Sequence, residues 1–180
     1  ERVVYTADQD TNDQSETYSA PLDGSSPAVK PNAPGQPASP VAISPDSSRV
    51  VLQGGVILLQ SAPIDGTTGP IVLEDLSFTA RELRDAAISP DSSRVAYRTG
   101  YTPCSGSCFF YETLRSVPLD GSASPVRLDE VGGQLGTIET WRPHTPFAFS
   151  ADSWRVVFRW GESEQLGLYS APSDGSEPAL

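Results

Sequence analysis

The chain has 180 residues, a formal net charge of −11 and a sequence pI of about 4.4. That length suffices for one domain with a proper core. The acidity argues against nucleic-acid binding and against docking on anionic lipid, and no apolar run approaches the ~20 residues of a membrane helix. The 17 Pro and 15 Gly call for many turns and leave no room for long helices.

The first predicted strand is Arg2-Val3-Val4-Tyr5. The acidic stretch "ADQDTNDQSETY" follows, with Asp8, Asp10 and Asn12 at alternate positions. Alternating oxygen donors on a tight loop suit a hard cation, so these three are candidate calcium ligands. The match to a calcium loop is partial, because Asp13 stands where the pattern has Gly and Ser19 where it has Glu. A solvated hairpin tip is the plainer alternative. The next strand ends in "SAPLDG", where Gly24 is free to take positive φ in a tight turn.

"VAISPDSSRVVL" (41–52) then reads as strand, turn, strand. Pro presets φ, Asp accepts hydrogen bonds from nearby N–H groups, and the β-branched run after Arg49 favours a strand. "GGVILLQ" (54–60) is the greasiest piece and is strand-sized. It leads into "SAPIDG", and "PIVLED" (70–75) makes a short fourth strand. "TARELRD" (79–85) is the one passage that could hold a helical turn, though a connector between units accounts for it equally.

The same order returns in "AAISPDSSRVAYR" (86–98), "SVPLDG" (116–121) and "PVRLDE" (125–130). Between them lies a longer insertion, "TGYTPCSGSCFFYETL", in which 109–114 reads as a strand and Tyr101 as a candidate contact residue. Cys104 and Cys108 enclose only Ser-Gly-Ser, and a disulfide there would fit an oxidising compartment. A free thiol pair is the other reading. One His and two Cys are a poor supply for zinc.

"GGQLGTIETWRPHTPFAF" (132–149) carries Glu139, Trp141, Arg142 and His144. A histidine near a carboxylate suggests acid–base chemistry. No nucleophile elbow or second basic partner accompanies it, and a loop role is expected, with Trp141 a candidate contact residue. A worn copy, "AFSADSWRVVFR" (148–159), and "SAPSDG" (170–175) close the series. Trp154 on that turn is either a packing plug between units, the simpler expectation, or part of a binding face.

The equivalent residues Arg2, Arg49, Arg94 and Arg155 are spaced by 47, 45 and 61 residues. Self-similarity near 45 residues marks a repeat architecture. A residue repeated in each unit serves each unit, here through a cross-strand hydrogen bond or an ion pair with a turn Asp. Four short antiparallel strands per repeat make a propeller blade, apolar on both faces and obliged to stack. The expected fold class is all-β: about four blades of four antiparallel strands, the first and last incomplete. The units fall near 1–38, 39–84, 85–144 and 145–180 of a single propeller segment.

"SPDSSRVVL" and "SPDSSRVAY", each followed by P-[LI]-D-G, resemble the TolB-like, WD-type propeller repeat. Its usual turn is Ser-Pro-Asp-Gly. Ser47, Ser92 and Ser153 stand in place of that Gly, a departure expected to change turn geometry and not topology. The resemblance is specific for fold and silent on activity. The reading that follows is a non-catalytic scaffold of an exported protein (periplasmic, cell-surface or secreted) that binds a protein or other ligand. Catalytic residues and cofactors are not assigned, calcium apart. Unpaired strand edges invite a partner chain or further copies of this one, so an oligomeric or filamentous subunit is the second reading. The third is the propeller of a prolyl-oligopeptidase-like hydrolase whose catalytic domain lies outside these residues.

Overall fold

The computed structural model describes residues 1–10, 12–55, 58–77, 82–101, 111–131, 134–135, 138–139, 147–160 and 167–180; for 101, 111, 134–135 and 138–139 it describes the backbone alone. Every regular element of any length is a strand, and no α-helix occurs among the described residues.

The second unit shows the full pattern. β-branched and leucine-rich runs separated by Pro-Asp and Asp-Gly turns give four strands. They are β3 (Ala38–Ile43), β4 (Arg49–Gly54), β5 (Leu58–Pro63) and β6 (Ile71–Asp75), in the order β3-β4-β5-β6. Pro40 sits on β3, an edge strand where its missing donor is tolerated, beside a register shift. The third unit repeats the order with β7 (Glu82–Ile88), β8 (Arg94–Tyr101), β9 (Tyr111–Pro118) and β10 (Val126–Arg127). β7 begins at Glu82, so the second half of "TARELRD" is strand and no helical turn forms there; residues 78–81 lie outside the described residues.

The first unit contains β1 (Arg2–Ala7) and β2 (Glu16–Pro21), paired antiparallel, and the last contains β14 (Phe147–Phe149), β15 (Arg155–Trp160) and β16 (Gly167–Pro172). Each also begins a fourth strand. Val29 exchanges both backbone hydrogen bonds with Ser19, and Leu180 does so with Ser170. These pairings match Ile71 with Ser61 and Val126 with Ser116 in the two middle units.

The strand expected over 125–130 is interrupted. After β10 the chain leaves β9 and forms the two-residue strands β11 (Glu130–Val131) and β12 (Gln134–Leu135), which pair with each other. It then returns as β13 (Ile138–Glu139) against Glu112 and Tyr111. Glu130 accepts the Ala179 N–H at 2.9 Å, so the excursion also touches the fourth unit.

The sheets stack face to face through apolar side chains of both. Val4 of the first unit packs on Ala38, Val50, Leu52 and Ala62 of the second. Val51, Leu59 and Leu73 of the second meet Val95, Tyr97, Val117 and Leu119 of the third. Ala96, Leu114 and Leu128 of the third meet Val156, Phe158 and Ala171 of the fourth. Val50, Val51, Leu52, Val95, Ala96 and Tyr97 have no exposed surface, although alternate residues point to opposite faces. Both faces of the inner sheets are therefore core, the condition that forces blades to stack.

Candidate functional site

Antiparallel order puts the turns of each blade at two opposite edges. One edge collects the Ser-Pro-Asp-Ser-Ser and Asp-Gly turns. The other holds the strand ends Ala7, Gly54, Tyr101 and Trp160, from which each second strand leads to the third.

The Ser-x-Asp-Ser turn is built alike in the second, third and fourth units. Ser44 Oγ donates to Asp46 Oδ1 at 2.6 Å, and Asp46 accepts the Ser48 N–H and hydroxyl at 3.0 and 2.8 Å. The Ser44 hydroxyl first, then the Ser48 groups, hold the Asp46 carboxyl down at about 2. Burial pushes Asp91 up, but the hydroxyls of Ser89 and Ser93 outweigh it and leave it lowered. Ser150 and the Trp154 N–H lower Asp152.

The serines that replace Gly keep the left-handed backbone a Gly would take: φ is 60° at Ser47, 62° at Ser92 and 64° at Ser153. The turn geometry is thus retained, contrary to expectation. The reason lies across the blade boundary. Ser92 Oγ accepts the Asp46 N–H of the preceding blade, and Ser153 Oγ accepts the Asp91 N–H, both at 3.0 Å. A hydroxyl at this position makes an inter-blade bond that glycine lacks, which offsets the αL cost.

Two further contacts recur at each boundary. The Asp-Gly glycines Gly66, Gly121 and Gly175 have φ of 68°, 70° and 68°. A Cβ on them would lie 3.1, 3.2 and 3.0 Å from Val29, Ile71 and Val126 of the preceding blade. Glycine there serves the turn and also the close approach. The neighbouring aspartates Asp65, Asp120 and Asp174 are lowered first by hydrogen bonds from their own turns. Arg2, Arg49 and Arg94 of the preceding blade lower them further. Between the second and third blades this edge opens into a cleft of about 390 Å³ containing Arg49, Ser92, Ser93, Arg94, Asp120 and Ser122.

Trp154 follows Ser153 and is 61 % exposed, so it does not plug an inter-blade gap; it projects from the turn edge. Its equivalents Ser48 and Ser93 donate hydroxyls to Asp46 and Asp91, a bond an indole at this position does not reproduce.

The loop edge is chemically different. Asp8, Asp10 and Asn12 each have a partner outside the trio. Asp8 Oδ2 accepts the Asp13 N–H at 2.8 Å, Asn12 donates to Asp13, and Asp10 pairs with Lys30 Nζ at 2.5 Å. Lys30 also bonds Glu16 at 2.6 Å and lies 5.5 Å from the Tyr18 ring centre. Hydrogen bonds to Asp10, then Glu16, raise its pKa. One of the three candidate calcium ligands, Asp10, is thus paired with an ammonium. Among the described residues no group of three or more His, Cys, Asp or Glu side chains gathers to hold a metal. The signal missed was Lys30, in sequence remote from the loop and brought to it by the Ser19–Val29 pairing.

Sequence reading also missed a buried ion cluster on the third blade. Arg98, 2 % exposed, bonds Asp85 at 2.8 Å through both Nε and Nη2, and Glu112 at 3.0 Å. Beside it the Thr99 and Thr113 hydroxyls share a 2.8 Å bond. The available signal was a charge at an inward-facing position of "RVAYR". Tyr101 ends β8, and only its backbone is described; Trp141, His144, Cys104 and Cys108, with the expected disulfide, lie outside the described residues.

This arrangement of blades recurs in solved structures. The crystal structure of the tricorn protease matches with a TM-score of 0.64 at 12% identity, over 95% of this chain and 17% of that one. An oligogalacturonate lyase from Vibrio parahaemolyticus matches at 0.59 and 14%, over 99% and 48%. A putative TolB from Agrobacterium tumefaciens matches at 0.51 and 15%, over 99% and 60%. The chain has the fold of these β-propeller proteins and spans less than two thirds of each. No protein-family model matches the sequence, and no curated protein matches it. At such identities the likeness defines the fold and leaves activity to be argued from the site.

Proposed function

We propose that the chain is a TolB-like propeller segment acting as a non-catalytic scaffold, which binds a protein or other ligand through its loop edge. The observation that carries this reading is the contrast between the two edges. The turn edge is one short motif repeated with its polar groups bonded internally or across blades. The loop edge has connections of unlike length and sequence, held by rigid stacked strands. Mechanism here means shape: the stack fixes where the loops stand, so little ordering cost remains at binding. The uniform turn-edge aspartates each serve their own turn, so none is spared for acid–base work. Export to a periplasmic, surface or secreted location fits the "CSGSC" spacing.

The test compares two variants as affinity baits in extracts of the producing cells. One replaces residues 102–110 by a Gly/Ser linker of equal length, and the other carries Ser122→Ala on the turn edge. A partner held by native chain and by Ser122→Ala, and lost by the linker variant, is expected. Capture that ignores the linker, or turnover of peptide, ester or oligogalacturonate substrates by purified chain, would refute the proposal.

A further inference from the structure

Trp154 is the one exposed aromatic side chain among the described residues, at 61 %. It stands where the second and third blades have Ser48 and Ser93. Ser93 lines the cleft toward the preceding blade together with Arg49. By the repeat, Trp154 stands over the boundary between the third and fourth blades. Both of those blades are in place and leave the indole uncovered, so its exposure belongs to the turn edge itself.

The replacement changes the neighbouring carboxylate as well. Asp46 and Asp91 each accept both the N–H and the hydroxyl of their serine. Asp152 accepts the Ser150 hydroxyl at 2.6 Å and the Trp154 N–H at 3.1 Å, both on Oδ1. Its Oδ2 accepts no hydrogen bond among the described residues. The Trp154 carbonyl accepts the Ser173 N–H at 2.8 Å, which brings the exposed Asp174 alongside. Among the described residues neither Asp152 nor Asp174 has an ion-pair partner. Arg94 adds to the lowering of Asp174 from a distance, but its Nε is bonded to Ser116.

A π face beside an open carboxylate oxygen is the pairing that recognises an organic cation. A guanidinium suits it better than an ammonium, because it is planar, weakly hydrated and able to stack while its N–H edge reaches a carboxylate. We infer that Trp154, with Asp152 and Asp174, binds an arginine side chain of a basic protein segment. The guanidinium lies on the indole and donates to Asp152 Oδ2. Charge complementarity selects this occupant. The exposed charges here are carboxylates, whereas Arg49, Arg94 and Arg155 are half-buried and donate to serines. This surface is separate from the loop edge and does not rest on it.

Fluorescence anisotropy of a labelled hexapeptide of alternating Gly and Arg, titrated with the full chain at low salt, tests the inference. The native chain is expected to bind the peptide, Trp154→Ser about fivefold more weakly, and Trp154→Phe in between. Trp154→Ser restores the residue of the other two turns, and its hydroxyl competes for the Asp152 carboxylate. Gly/Lys and Gly/Glu peptides of the same length are expected to bind more weakly than the arginine peptide. Equal affinity of native chain and Trp154→Ser would mean attraction by net charge alone and would overturn the inference. So would a lysine or glutamate peptide bound as tightly as the arginine one. Thermal melts of both variants separate loss of the site from loss of the fold. The indole N–H resonance of Trp154 in the native chain should also shift as the arginine peptide is added, and a stationary resonance would contradict the site without recourse to any variant. Neither variant alters residues 102–110, so the bait experiment on that loop is read separately.

Discussion

Arg49 donates its Nε hydrogen to Ser61 Oγ at 2.7 Å, joining the second strand of a blade to the third. Arg2 and Ser19, Arg94 and Ser116, and Arg155 and Ser170 repeat the bond at 2.8, 2.9 and 3.0 Å. Each arginine opens the second strand of its blade, and each serine opens the phrase that ends in Asp-Gly. The two phrases recur together because the arginine of one and the first serine of the other hold each other. Ser61→Ala should remove the bond to Arg49 Nε and destabilise the chain by about 1 kcal/mol. Urea unfolding measures this, and an unchanged midpoint would count against it.

The left-handed serines give a second prediction. Ser92→Ala keeps the strained φ and loses the hydroxyl that accepts the Asp46 N–H, so a loss of roughly 1–2 kcal/mol is expected. Ser92→Gly loses the same bond but relieves the strain, and should cost less. Ser47 has φ of 60° and no hydroxyl partner among the described residues. Ser47→Gly should therefore stabilise by up to about 1 kcal/mol. Thermal melts of the three variants provide the comparison.

Acid should weaken the fold through the turn edge. Asp46 sits at about 2, below the ~3.9 of an unfolded aspartate. Its contribution is present above that unfolded value and is lost as pH falls through the folded one. Asp65, Asp120, Asp152 and Asp174 are lowered as well and act in the same sense. Stability should fall between roughly pH 4 and pH 2, and Asp46→Asn should make that fall shallower. Denaturant midpoints at stepped pH give the slope.

Arg98 neutralises a nearly buried Glu112 and a half-exposed Asp85. Arg98→Ala would strand that carboxylate and should cost about 3–5 kcal/mol. Adding Glu112→Leu should recover much of the loss, since an apolar pair of similar volume avoids the unpaired charge. A double-mutant cycle in urea reads the coupling, and two additive losses would contradict it.

Much of this architecture is legible in the chain. Short β-branched runs between Pro-Asp and Asp-Gly turns announce strands, and their recurrence announces blades. The expectation for "TARELRD" left a helical turn open because Glu, Leu and Arg favour helices locally. Pairing of Glu82–Ile88 with β8 overrides that preference. The break after Arg127 has no local marker; β13 covers part of β9 only after an excursion. The site was less legible because its polar contacts join residues distant in sequence. Lys30 reaches Asp10, Ser92 reaches Asp46, and Val29 lies under Gly66. No spacing rule within one unit records such contacts.

The stacking of blades is the claim on which the rest depends, and proton–proton NOEs measure it directly. In a chain of 19.1 kDa, stacking predicts cross-peaks from the Ile71 δ1 methyl to the Gly121 α protons. Matching peaks should join Val29 to Gly66 and Val126 to Gly175. Their absence, together with backbone NOEs running from β6 directly onto β7, would mean that the repeats lie edge to edge in one sheet and would contradict the account.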